Sequence, residues 1–114
     1  MATHIIHFGV DLATRVPVLK SAGFQVDICS SIDSLIDKLG REHVDAVVVP
    51  EDQEFNLYRV ASITQSRPNT PVIVFAEAPS QLCDAKFDLV IPVLTPPREW
   101  LAHIASSIAQ SKNL

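Results

Sequence analysis

Four carboxylates stand just beyond the ends of short apolar runs. Asp11 follows His4–Phe8, Glu51 and Asp52 follow Asp45–Val49, and Glu77 follows Pro71–Phe75. If those runs are parallel strands of one sheet, their carboxyl ends converge on a single edge. Several carboxylate oxygens gathered there suit a hard divalent cation, so Asp11, Glu51 and Asp52 are the candidate metal ligands. His4 and His7 are three residues apart on one run, and an odd offset puts them on opposite faces of a strand. They do not share a metal from one strand; His7 is the one that reaches toward the crevice near Asp11. His43 and His103 take surface positions, and no His-x-x-x-His pair occurs. Cys29 and Cys83 lack CxxC spacing and read as reduced, buried thiols.

Other chemistries lack their signatures. The chain has three glycines, Gly9, Gly23 and Gly40, and no GxGxxG or Walker A loop to cradle a phosphate. No serine sits in a GxSxG elbow, and no nucleophile–base pair has recognisable spacing. No catalytic residue and no cofactor are therefore expected, and a small enzyme ranks last among the functions considered.

The elements that must position these residues follow from periodicity. His4–Phe8 reads as a strand, followed by the loop Gly9-Val10-Asp11. A short helix comes next, with Thr14 as its N-cap, Pro17 in the first turn, where amides need no helical partner, and Gly23 as a left-handed terminator. Phe24–Cys29 is a second strand. Ser30 or Ser31 caps a second helix whose Ile32, Leu35, Ile36 and Leu39 form one apolar stripe, with Gly40 stopping it. Asp45–Val49 contains a continuous β-branched run, as in a strand buried on both faces, and Pro50 closes it.

A third helix spans Glu54–Gln65, with Leu57, Val60, Ala61 and Ile63 available to face inward. Pro71–Phe75 is the fourth strand, and Ala78–Ala85 is a weak helix. Asp88–Val93 is a fifth strand; Pro92 marks it as an edge, since a central strand would lose a ladder bond there. Thr95 caps the last helix, Pro96 and Pro97 fill its first turn, and Leu101, Ile104, Ala105 and Ile108 form its inner stripe. Alternating β–α units over residues 1–114 predict one α/β domain: a five-stranded parallel sheet with helices on both faces.

Composition narrows the setting. Apolar residues make up 47% and charged residues 19%, which is a globular balance. A net charge of −4 argues against a broad basic surface for nucleic acid. The apolar runs are strand-sized, too short to cross a membrane, and the start has no basic-then-apolar leader. A cytoplasmic protein is expected.

Several stretches, taken in order, resemble the receiver domains of response regulators. Lys20-Ser21-Ala22-Gly23-Phe24 is similar to the end of their first helix. Val44 to Val49, Thr70 to Phe75 and Phe87 to Ile91 are similar to their third, fourth and fifth strands. Pro97-Arg98-Glu99-Trp100-Leu101 is similar to the start of their last helix. The resemblance covers nearly the whole chain and implies a CheY-like, flavodoxin-like fold of strand order 2-1-3-4-5, working in two-component signal transduction.

That family holds Mg²⁺ on an acidic pair after strand one and phosphorylates an aspartate ending strand three. A Thr or Ser ending strand four and a Lys ending strand five contact the phosphoryl oxygens. Carried onto this chain, the phosphoacceptor falls on Pro50, the hydroxyl position on Ala76, and the lysine on Val93 (Pro92 in the adjacent register). The acidic pair is reduced to Asp11. The resemblance thus points to a degenerate receiver, a pseudo-receiver. Glu51 or Asp52 as a displaced phosphoacceptor is disfavoured, because no lysine supports it.

The chain begins at a Met and ends shortly after the last helix, with no output domain attached, so any output is expected to pass through a bound protein. The expected function is a stand-alone, phosphorylation-independent protein-interaction module, acting alone or as a homodimer through the last-helix face, with Val90, Ile91, Val93, Leu94 and Trp100 as its surface. For Trp100 itself a boundary core position is weighed ahead of a partner-binding anchor. The runner-up is a signalling domain whose rebuilt acidic site, Asp11, Glu51 and Asp52, binds a divalent cation.

Overall fold

The structure, a computed structural model, describes residues 3–11, 14–50, 54–64, 69–76 and 87–112, with side chains omitted at 54–58 and 112. Glu51, Asp52, Glu77, Cys83, the expected helix at Ala78–Ala85 and the Leu57 side chain lie outside the described residues.

Five strands form one parallel sheet. They are β1 (His4–Phe8), β2 (Gln25–Cys29), β3 (Ala46–Pro50), β4 (Val72–Ala76) and β5 (Leu89–Pro92). Their order is β2-β1-β3-β4-β5, the flavodoxin-like arrangement expected. The described helices are α1 (Arg15–Ser21), α2 (Ile32–Arg41), α3 (Glu54–Thr64) and α4 (Pro97–Lys112).

Strand alternation divides the interior into two cores. One face presents Ile5, Val48, Ile73 and Phe75 to Leu19 of α1 and to Trp100, Ile104 and Ile108 of α4. The other presents Ile6, Phe8, Val47, Val49 and Val74 to Leu35 and Leu39 of α2 and Val60 and Ala61 of α3. β1, β3 and β4 are buried along their whole length, which is why β3 and β4 are apolar throughout rather than alternating, and why β1 carries Ile5 on one face and Ile6 and Phe8 on the other beside its two buried histidines.

Local rules set most element ends. After α1 the amide of Gly23 donates to the Lys20 carbonyl and that of Phe24 to the Leu19 carbonyl, with Gly23 at φ +97°. This is a Schellman closure, which needs a left-handed residue. Ser31 caps α2 by accepting from the Ser34 amide at 3.1 Å. Pro92, exposed at the end of edge strand β5, leaves no ladder bond unmade.

Three expectations are corrected. Gly40 does not stop α2, which runs on to Arg41 and ends where Glu42 turns extended; no positive-φ residue is needed there. Thr14 sits at the N-cap of α1 in a left-handed conformation, but its side chain makes no capping bond. Thr95 does not cap α4: the helix opens at Pro97, and the Pro96 carbonyl accepts from the Glu99 and Trp100 amides. The inward stripe of α4 is also turned by one position, to Trp100, Ile104 and Ile108, leaving Leu101 half-buried and Ala105 exposed.

Candidate functional site

The carboxyl edge is built around the turn from β1 into α1. The strand order reverses here, with β2 on one side of β1 and β3 on the other, the place where sheets of this kind form a crevice beyond the strand ends. Asp11 stands in it, half-buried. One carboxylate oxygen accepts from the Arg15 amide at 2.9 Å and the other from the Val16 amide at 2.8 Å. Asp11 therefore does the capping that Thr14 does not. Its oxygens answer amides of the first turn that have no helical partner.

On the other side of β1, the described ends of β3, β4 and β5 carry no ionisable side chain. Pro50 ends β3 and is buried beside Phe75 of β4. Ala76 ends β4, fully buried, and pairs with Pro92. Val93 follows β5, half-buried, with its amide donating to the Ala76 carbonyl at 3.0 Å. His7 is fully buried, and its Nδ1 donates to the Gly9 carbonyl at 3.0 Å, so that nitrogen carries the proton. It thereby braces the strand-to-loop turn.

On the α1–α4 side, the Arg15 guanidinium lies 4.1 Å from the centroid of the Phe75 ring. Trp100 meets the same ring edge-on, centroids 5.3 Å apart. Trp100 is 5% exposed and Ile91 1% exposed. These two are corrected from the expected interaction surface: both belong to the core that α4 and β5 share with Phe75. Val90 and Val93 are half-buried against the two cores. Leu94 alone of the five projects fully, at 92% exposure.

A second polar group lies at the opposite, amino end of the sheet, where sequence reading placed no site. The His4 amide donates to Asp45 Oδ2 at 2.8 Å, and His43 Nε2 lies 3.0 Å from Asp45 Oδ1. The buried His4 ring puts Nε2 2.7 Å from Asp27 Oδ2 on β2 and Nδ1 3.1 Å from the His43 carbonyl. Lys38 of α2 extends its ammonium toward both Asp27, at 3.7 Å, and Glu42, at 3.5 Å. The His4 hydrogen bond, ahead of the Lys38 charge, holds Asp27 below the usual carboxylate range against the opposing effect of burial. The Asp27 charge in turn raises Lys38. The signal for this group is a strand register: Gln25 pairs with His4, which brings Asp27 onto the same face two residues on.

No family model matches the chain, and no curated protein matches it. Solved structures do. A CheY-like response regulator receiver domain protein from Methanospirillum hungatei JF-1 superposes with a TM-score of 0.74 at 17% identity, covering 99% of this chain and 98% of that one. A response regulator from Thermotoga maritima gives 0.76 at 17% identity, covering 96% and 99%. The constitutive lysine decarboxylase of E. coli gives 0.74 at 14% identity over 97% of this chain, but only 18% of its own. The chain thus has the CheY-like receiver fold over essentially its full length. The same fold also occurs within a much larger enzyme, so the fold by itself does not assign an activity.

Proposed function

We propose that this chain is a degenerate receiver domain, a phosphorylation-independent protein-interaction module in signal transduction. The observation that carries the reading is Asp11. It is the one carboxylate left at the position of the receiver's acidic pair, and each of its oxygens already accepts from an α1 amide. A Mg²⁺ ion needs several oxygens in an octahedron, and at Asp11 it would compete with the helix start for one carboxylate. Pro50, Ala76 and Val93, aligned by resemblance with the phosphoacceptor, hydroxyl and lysine, supply no nucleophile, hydroxyl or cation. At these three positions a phosphoryl group would find nothing to attack it and nothing to neutralise its charge.

In this reading, output comes from a protein bound near the β5–α4 turn, a second copy of the chain being the simplest partner. Leu94 is its exposed apolar anchor, flanked by half-buried Val93 and Val90; Ile91 and Trp100 support the surface from beneath. An amide NMR titration with Mg²⁺, then Mg²⁺ plus beryllofluoride, tests the first half of the reading. No saturable shift is expected, and saturable shifts at Asp11 would refute it. Sedimentation of the wild type and L94D tests the second half. Self-association is expected in the wild type and lost in L94D; association that survives L94D places the contact elsewhere.

A further inference from the structure

We propose that the amino end of the sheet holds a site for a divalent transition-metal ion of the zinc class, formed by His4 Nε2 and the carboxylates of Asp27 and Glu42. One ligand atom from each lies within 4.8 Å of the others. The site is on the α2 face, at the end of the sheet opposite the crevice where Asp11 stands, and it joins β1, β2 and the residue that ends α2.

The hydrogen bonding of His4 carries the inference. Nδ1 faces the His43 backbone carbonyl at 3.1 Å, and a carbonyl only accepts, so Nδ1 carries a proton. Nε2 faces a carboxylate oxygen at 2.7 Å, which also only accepts. A bare lone pair against that oxygen is repulsive, so a cation has to lie between them: a proton on Nε2 or a metal ion bound by both. Nδ1–H held by a backbone carbonyl is how a metal-ligating histidine is ordinarily oriented. The ring is also fixed in place, since His4 is 5% exposed.

Charge and access favour a divalent ion. Lys38 is the cation now facing the two carboxylates, and its ammonium reaches both of them. A divalent ion takes its place between them. The N–H bond at Nε2 breaks, a metal–nitrogen bond forms, the proton passes to buffer, and Lys38 swings out on its flexible stem. The Asp27 and Glu42 side chains are 36% and 41% exposed, so an ion can enter. A tetrahedral zinc ion holds neighbouring nitrogen and oxygen ligands about 3.3 Å apart, a small opening from the present His4–Asp27 distance, and leaves one position for water. The site also adjoins the carbonyl end of α2, where the helix dipole favours a cation.

The test is calorimetry of the full chain with ZnCl₂ in buffers of different ionisation enthalpy, paired with ¹⁵N NMR of the histidine rings. One saturable site, proton release and a shift of His4 Nε2 are expected. E42Q, at a part-exposed side chain whose loss leaves the core intact, should weaken binding by more than about tenfold, and D27N likewise. K38M removes the competing ammonium and should tighten it. The proposal is overturned if no saturable binding occurs. It is equally overturned if E42Q and D27N bind as wild type does, or if the perturbed ring is His43 or His103 rather than His4.

Discussion

Phe75 and Trp100 meet edge to face, their planes 88° apart, and Arg15 covers the same Phe75 ring from α1. The three side chains join α1, β4 and α4 on one face of the sheet. Trp100 is thus the piece that seats α4. W100A should cost about 3–5 kcal/mol, the range for an aromatic deleted from a core. L94D, at a side chain that is in water in the monomer, should stay within about 0.5 kcal/mol of the wild type at protein concentrations low enough to leave both monomeric. Urea unfolding checks both. A small cost for W100A would return Trp100 to the surface assignment.

Asp11 closes α1 from outside the helix, three residues before the N-cap position. D11A removes both acceptors and should cost about 1–2 kcal/mol, with the loss confined at first to α1. D11N keeps one acceptor oxygen and should cost less. Amide hydrogen exchange reads this directly: protection should fall at Arg15 and Val16 in D11A while β3 and β4 remain protected. Equal loss across the sheet would mean that Asp11 supports more than the helix start.

These two residues show what the sequence discloses and where it stops. Strand positions were readable because β1, β3 and β4 carry apolar residues on both faces, a pattern that little but a central parallel strand produces; the sheet order came from the resemblance to receiver domains. Trp100 was ambiguous because α4 is rotated by one residue from its most apolar stripe, and rotation is decided by what the opposite surface offers, here Phe75. Asp11 was readable as a residue at a strand end, but not as a cap. The left-handed Thr14, at φ 56°, turns the chain so that a carboxylate three residues upstream reaches the amides. The His4–Asp27–Glu42 group depended on the register of β1 against β2 and on where α2 ends, neither of which periodicity sets.

Gly40 and Gly23 should respond to alanine with opposite signs. Gly40 is exposed within α2, and a methyl group there meets nothing within 4 Å. G40A should stabilise by about 0.5–1 kcal/mol by removing glycine's backbone entropy cost. Gly23 has equal space around it but sits at φ +97°. G23A should destabilise by about 1–2 kcal/mol from the left-handed backbone alone. Thermal unfolding of the two variants should move the midpoint in opposite directions. A stabilised G23A would show that the Schellman closure of α1 relaxes without cost.

Asp27 gives the fold a dependence on acid. Its carboxyl is held below its ordinary value, first by the His4 hydrogen bond and then by Lys38. A folded-state value lowered in this way stabilises the protein above the unfolded carboxyl value of about 4. That contribution is lost as pH falls through the lower folded value. Because the side chain is 36% exposed, solvent screening keeps the contribution under about 1 kcal/mol. In the presence of a chelator, D27N should therefore be less stable than the wild type at pH 7, and the gap should close below about pH 4. Paired urea titrations at pH 7 and pH 3 measure it. A gap that persists unchanged at pH 3 would mean that D27N acts through packing rather than through the charge on Asp27.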